Sequence, residues 1–86
     1  MPITFVLLNS DLGSDDSVID SIREILEKED AIEYEVLAVY GVYDVILKLT
    51  SADADKLRMV ITNRIRRISK VQSTLTMMVI EEQGRS

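Results

Sequence analysis

The sequence predicts an α+β fold with the ferredoxin-like order βαββαβ, in which two helices cover one face of a four-stranded antiparallel sheet. Two observations support this fold class. Four short runs rich in β-branched and apolar residues have the composition of strands, and two segments between them carry apolar residues at helical spacing. In addition, several strands carry apolar residues on both faces. We therefore expect the helix-free face to pack against a second copy, giving a dimeric αβ sandwich (a dimeric α+β barrel).

The first half of the chain predicts a strand, a turn and a helix. Ile3–Leu8 is apolar and β-branched, which is typical of a strand. A turn-rich segment follows and ends at Ser14, a residue suited to the N-cap of a helix. Asp15 and Asp16 then lie in the first turn, where negative charge suits the helix dipole. Apolar residues recur at helical spacing to about Glu29, so we expect one buried stripe on this helix.

The second half predicts two strands joined tightly around Gly41, then a helix and a last strand. The expected ranges are Ile32–Tyr40 and Asp44–Thr50 for the paired strands, Ser51 to about Ile68 for the helix, and Thr74–Ile80 for the last strand. The polar tail Glu81–Ser86 is expected to fray. A length of 86 residues predicts a single domain, 1–86. We expect its ordered core to run from about residue 3 to residue 81.

The amino-acid composition argues against several classes of function. A hydrophobic fraction of 47% is high for so small a chain and favours an oligomer. The net charge of −5 argues against direct nucleic-acid binding. Cysteine and histidine are absent, so we expect no metal site, no cofactor and no thiol or imidazole catalysis. No run approaches the roughly 20 apolar residues of a membrane span, so we expect no membrane association and a cytoplasmic location. The basic residues near the end of the second helix are expected to stabilise its dipole; they are Arg64, Arg66, Arg67 and Lys70.

The segment Val39–Asp44, with the sequence V-Y-G-V-Y-D, is the strongest candidate for binding chemistry. Gly41 would free backbone N–H groups to face a ligand carboxylate, and Asp44 would pair with a ligand ammonium group. The structural alternative is that Gly41 only supplies a positive φ and that Asp44 only caps the turn by accepting backbone N–H groups. Tyr40 is expected at an interface, whereas Tyr43 could wall a pocket or supply a hydroxyl.

Thr74 and Thr76 lie two positions apart and therefore share one face of the last strand. Their hydroxyls are candidates to receive the polar end of a ligand across a subunit boundary, with Met78 on the apolar side. The alternative is that the threonines reflect strand propensity and that the methionine fills the core.

Two segments resemble the effector domain of the Lrp/AsnC transcriptional regulators, also called the RAM domain. Val39–Leu49 resembles its V-x-G-x-Y-D-x-x-x-K-V stretch, and Val71–Ile80 resembles its last strand, V-x-x-T-x-T-x-I-V-L. The resemblance runs from about Ile3 to Glu81. The chain departs from the family pattern at Ile68–Val71, where I-S-K-V replaces L-P-G-V. It also starts directly at the first effector-domain strand, so we expect no helix-turn-helix.

The resemblance implies a module that binds an amino acid or a similar small molecule and that oligomerises. It implies homodimers formed through the sheets, rings of dimers (octamers or decamers) and ligand sites between dimers. The implied ligand-binding residues are Gly41, Val42, Tyr43, Asp44, Thr74 and Thr76. Such a module would modulate transcription or amino-acid metabolism through a partner, for instance a full-length Lrp/AsnC regulator.

Two other functions stay open. Ferredoxin-like dimers also include small enzymes such as monooxygenases, but Asp44 is the only well-placed acid, so we expect no enzymatic activity. A purely structural assembly domain would have the same sequence features as a sensor.

Overall fold

The computed structural model describes residues 2–80 and confirms the predicted order of elements. The strands are β1 (Ile3–Ser10), β2 (Glu33–Ala38), β3 (Val45–Thr50) and β4 (Val71–Met78), and the helices are α1 (Asp15–Leu26) and α2 (Ala54–Asn63). A 3-10 turn, Ile65–Arg67, follows α2. The expected fraying of Glu81–Ser86 lies outside the described residues. Within residues 2–80, each helix is too short or too polar to cross a bilayer.

The four strands form one antiparallel sheet in the order β2-β3-β1-β4, as the ferredoxin-like prediction requires. Side chains along β1 alternate between buried and half-buried, which is the period of two expected for a strand covered on one face. The buried side chains of β1 and β3 pack against the apolar stripes of both helices. The resulting core consists of Val6, Leu8, Val18, Ile22, Leu26, Ile32, Val45, Leu47, Leu49, Leu57, Val60, Ile61 and Ile65.

The strand boundaries differ from the predicted ones where β1 meets β4. β1 continues to Ser10 because that residue pairs with Val71 after a register shift. As a result β4 begins at Val71 rather than at Thr74, and it ends at Met78 rather than at Ile80. Pairing between distant segments, and not local propensity, sets these ends.

α1 begins where the sequence predicts, directly after Ser14. α2 begins at Ala54 rather than at Ser51, because Asp53 is its N-cap, and the two helices are capped differently. Ser14 occupies the N-cap position of α1, yet its side chain makes no capping hydrogen bond. Asp53 caps α2, because its Oδ1 accepts a hydrogen bond of 3.0 Å from Lys56 N. Both helices also end earlier than expected. After Asn63 the chain tightens into the 3-10 turn, which keeps Ile65 buried.

The face of the sheet opposite the helices, called the uncovered face below, carries an apolar row that crosses all four strands. The row consists of the paired residues Leu37, Ile46, Leu7 and Leu75. In the next row, Phe5 and Met77 are paired with each other, and Lys48 lies opposite Glu35. The leucines of the two edge strands are 44–50% exposed. A single copy therefore leaves a continuous apolar row open to water, and its burial in a dimer stays a prediction.

A tight turn before β4 holds a residue in the left-handed conformation. Val71 N donates to Ile68 O over 3.3 Å, and within the turn Lys70 has a φ of +75°. The Lys70 carbonyl accepts a 2.8 Å hydrogen bond from Asp11 N, which ties the turn to the end of β1. A non-glycine residue in this conformation costs about 1–2 kcal/mol. Lys70 occupies the position of the glycine in the L-P-G-V pattern, so the replacement of glycine by lysine strains the backbone of this turn.

We expect Lys70→Gly to raise the free energy of unfolding by about 1 kcal/mol, because glycine adopts a positive φ without a Cβ clash. In a domain of this size the change corresponds to a Tm increase of about 4–8 °C. Ser69→Gly is the matched control, because Ser69 lies in the same turn without a positive φ, and its Tm should not rise. Thermal unfolding followed by circular dichroism at one protein concentration compares the two. Equal Tm values for Lys70→Gly and the wild type would mean that the turn is not strained.

Candidate functional site

The segment that joins β2 to β3 is a hairpin closed by a 2.9 Å hydrogen bond from Val39 N to Asp44 O. Gly41 in its loop has a φ of +153°, and an added Cβ would meet no atom. The backbone conformation, rather than crowding, therefore favours glycine there. In the rest of the loop, the side chains of Tyr40 and Val42 are exposed and that of Tyr43 is half-buried. The loop thus presents backbone and apolar surface to whatever packs against it.

Asp44 is anchored to the end of β1. Its Oδ2 accepts a 2.9 Å hydrogen bond from Ser10 N, and its own N–H donates to Leu8 O over 3.0 Å. The Ser10 hydroxyl donates in turn to Asp15 Oδ1 over 2.6 Å. The hydrogen bond that Asp44 accepts therefore comes from the end of β1 and not from its own turn, so it differs from the predicted turn cap. It leaves the second carboxylate oxygen without a hydrogen bond to any described residue, so Asp44 is held in place with one oxygen available.

A cavity of about 440 Å³ lies between this hairpin and the loop from β1 to α1. Its lining includes the carboxylates of Asp11, Asp15 and Asp44, beside Tyr40 and Gln72, and no described lysine or arginine. Acidic side chains gathered in a cleft favour a cationic group such as an ammonium over an anion. In the part of the chain that the structure describes, no group of three or more acidic, histidine or cysteine side chains is arranged to hold a metal ion.

Thr74 and Thr76 lie on one face of β4, and this face is turned toward the helices. Thr74 is paired with Leu8 of β1, and Thr76 is paired with Val6. Thr76 lines a groove of about 170 Å³ between α2 and β4, called the α2–β4 groove below. Thr74 is half-buried and lies closer to the hairpin end of the sheet.

The α2–β4 groove combines apolar surface with two cations. Leu57, Ile61 and Met78 supply the apolar part of its lining, and Arg58 and Arg66 are exposed lining residues. The sequence pattern indicates Met78 as a possible lining residue but gives no signal for Arg58, because nothing along the chain shows that α2 and β4 enclose a groove.

One residue of the groove lining, Thr4, has a buried hydroxyl without a partner among the described residues. Thr4 is fully buried, and its Oγ1 makes no hydrogen bond to any residue that the structure describes. Leaving a buried hydroxyl unsatisfied costs about 1–3 kcal/mol. Because this oxygen is closed to water, a ligand in the groove does not reach it unless the lining rearranges. Sequence reasoning missed Thr4, which has the same alternating pattern as its apolar neighbours on β1.

Asp44 and the residues of the α2–β4 groove form two groups toward opposite ends of β1, and Thr74, which is paired with Leu8, lies between them. Asp44 is bonded to Ser10 at one end of this strand, and Thr4 lines the α2–β4 groove at the other. In an extended strand, Ser10 and Thr4 are roughly 20 Å apart. A small molecule cannot touch both groups within one chain.

We expect Thr4→Val to raise the free energy of unfolding by about 1–2 kcal/mol, because it removes an unsatisfied buried hydroxyl and keeps a β-branched shape. Thr50→Val is the matched control, since Thr50 is half-buried on the uncovered face, where water can bond its hydroxyl. The control should change stability by less than about 0.5 kcal/mol. Urea denaturation measures both variants. A Thr4→Val protein that is less stable than the wild type would show that the hydroxyl has a partner in solution.

The family model of the Lrp/AsnC ligand binding domain matches residues 4–85. Among solved structures, FFRP-DM1 is 30% identical to this chain and has a TM-score of 0.75, over 93% of this chain and 100% of that one. A hypothetical protein from Pyrococcus horikoshii, PHS023, is also 30% identical, with a TM-score of 0.72 over 95% of this chain and 93% of that one.

A more distant likeness in fold is with the transcriptional regulator NMB0573 from Neisseria meningitidis, solved as a complex with L-Met. It is 14% identical, with a TM-score of 0.70 over 99% of this chain and 53% of the regulator. No curated protein sequence matches the chain. Because the family match spans nearly the whole sequence and two solved structures agree with it in fold, the chain belongs to the Lrp/AsnC ligand-binding domain family.

Proposed function

We propose that this chain is an oligomeric effector module that binds an amino acid and acts on transcription or amino-acid metabolism through a partner protein. The observation that carries the proposal is the separation of the two groups of candidate residues along β1. Each group is incomplete in one chain, and an assembly of copies would bring them together. Membership of a ligand-binding domain family favours binding over catalysis.

In the proposed assembly, two copies pack back to back through the uncovered face. Burying an aliphatic side chain contributes about 1.5–3 kcal/mol. About four to six such side chains per copy would offset the association cost, which is about 4–15 kcal/mol. Lys48, a lysine of this face, lies directly opposite Glu35 in the strand register, so the two charges would be close enough to pair when the face is covered.

Dimers of this kind would assemble further into a ring, an octamer or a decamer, in which the hairpin of one dimer lies against the α2–β4 groove of the next. A contact between two different surfaces is heterologous, and it forms a ring when the rotation closes. Charge supports this pairing. The hairpin cavity is lined by Asp11, Asp15 and Asp44, whereas the groove is lined by Arg58 and Arg66.

At this junction both groups of residues would hold the ligand. Asp44 has one carboxylate oxygen available for the α-ammonium group, and such charge-assisted bonds are the strong ones. Backbone N–H groups of the loop Gly41–Tyr43 would face the α-carboxylate. Thr76, which lines the groove of the neighbouring dimer, would supply a hydroxyl, whereas Thr74 does not line this groove. The L-Met complex of the NMB0573 regulator is an example of an amino acid bound to a protein of this fold.

Regulation would follow from the coupling between ligand binding and assembly. A ligand shifts the population of assembly states by no more than the difference in its affinity for them. The proposed partner is a full-length Lrp/AsnC regulator in the cytoplasm. This chain spans 53% of the NMB0573 regulator, so a longer protein of that kind can contain the same domain beside another part. Mixed rings would then transmit ligand occupancy of this module to the regulator.

We expect Asp44→Asn to weaken amino-acid binding at least tenfold, because a neutral amide cannot neutralise the ammonium group. The asparagine Oδ1 can still accept the Ser10 N–H, so the fold should persist. Asp16→Asn is the matched control, because it makes the same charge change at an exposed residue outside the cavity, and its affinity should stay within twofold. Calorimetric titration with each of the twenty amino acids measures binding. Absence of heat from all twenty with the assembled wild-type protein would refute the proposed function.

We expect Met77→Lys to raise the dimer dissociation constant at least a hundredfold, because it buries an uncompensated charge in the proposed interface. Met59→Lys is the matched control, since Met59 is 50% exposed and Met77 46%, but Met59 lies on α2 rather than on the sheet. Sedimentation velocity over a concentration series measures both. If the Met77→Lys protein sediments with the same oligomeric mass as the wild type, the back-to-back dimer is contradicted.

A further inference from the structure

We infer that the ligand is an acidic α-amino acid, aspartate or glutamate, whose side-chain carboxylate is bound by Arg58 and Arg66 in the α2–β4 groove. The inference rests on the proposed function and adds to it the chemical class of the ligand and the residues that select it.

The groove is small and positively charged. Its volume of about 170 Å³ is well below the roughly 300–1,000 Å³ of pockets for drug-sized ligands, and it suits an amino-acid side chain. Arg58 on α2 and Arg66 in the 3-10 turn both line it, and its described lining contains no acidic residue. A carboxylate placed there would meet two guanidinium groups, whose planar N–H donors match the geometry of a carboxylate.

Both arginines have donors available. Arg58 Nη1 lies 3.3 Å from Asp55 Oδ1, and the two side chains are 66% and 91% exposed, so water and salt screen this pair. Arg66 makes no ion pair with any residue in the range 2–80. A carboxylate partly enclosed in the groove would therefore compete well with the present surroundings of both side chains.

An exposed hydroxyl in the groove, that of Thr76, also favours a polar ligand side chain. The Thr4 hydroxyl is buried and has no partner within the described chain, and Thr4 and Thr76 line the same groove. Hydroxyl groups donate hydrogen bonds to a carboxylate, whereas an aliphatic ligand such as leucine would make no hydrogen bond with the exposed Thr76 hydroxyl. The groove thus disfavours aliphatic amino acids on two grounds, its charge and its exposed hydroxyl.

The charges of the two surfaces at the proposed junction are complementary to those of an acidic amino acid. The α-ammonium group would lie at the acid-lined hairpin cavity, and the side-chain carboxylate would lie at the two arginines. Glutamine and asparagine have nearly the shape of glutamate and aspartate but lack the side-chain charge. Comparison of each acid with its amide therefore isolates the contribution of Arg58 and Arg66.

Calorimetric titration of the assembled wild-type protein with glutamate, glutamine, aspartate and asparagine tests the inference. At least one acid should bind at least tenfold more tightly than its amide, and this preference should fall as the KCl concentration rises. Arg58→Gln and Arg66→Gln should each weaken binding of that acid at least tenfold and change binding of the amide by less than twofold. Arg67→Gln is the matched control, because Arg67 lies in the same 3-10 turn but does not line the groove.

Native mass spectrometry of each variant establishes that it still assembles. If a glutamine variant does not assemble, the lysine variant at the same position keeps the charge and should retain the preference for the acid. Equal affinity for acid and amide in the wild type, or tighter binding of a neutral amino acid, would overturn the inference and leave amino-acid binding in place. Failure of every amino acid to bind would instead overturn the proposed function.

Discussion

The pairing of β1 with both of its neighbours is the constraint on which the rest of the structure depends. β1 is hydrogen-bonded to β3 on one side in a single register, and to β4 on the other in a register that shifts between Asn9 and Ser10. Because side chains alternate along a strand, this register directs Val6 and Leu8 into the core and Phe5 and Leu7 to the uncovered face. A shift by one residue would exchange the two faces, so the core and the proposed dimer interface depend on the same pairing.

The buried polar residues show how β1 connects the fold to binding. Within the described chain, Thr4, Ser10 and Ser51 are the buried polar residues. Ser10 is bonded to Asp44 and Asp15, and the Ser51 hydroxyl accepts a hydrogen bond from Asp53 N, so both have structural partners. Thr4 has none and lines the α2–β4 groove. Thr4 thus belongs to the lining of the groove that the ligand is proposed to enter, while its hydroxyl is closed to solvent.

The arrangement of elements could be predicted because short-range periodicity reflects which side of an element is buried. Apolar residues at helical spacing on α1 lie in the core, and alternation along β1 and β3 matches their burial. Element ends were less predictable. β4 begins at Val71 because Lys70 adopts a positive φ and because Val71 pairs with Ser10. The strand propensities of the residues predict neither feature. α2 ends at Asn63 although the apolar stripe continues through Ile65 in a tighter turn.

The sequence by itself determined the fold class, the hairpin around Gly41 and the common face of Thr74 and Thr76, because these follow from residue type and spacing along one segment. Only the tertiary structure decided that the Asp44 carboxylate is bonded to Ser10 and that α2 and β4 enclose a groove with Thr4 and two arginines. These contacts join segments far apart in the chain, and the pattern of one segment carries no information about the segment it will meet. The separation of the two candidate groups along β1 is likewise a property of the folded sheet alone.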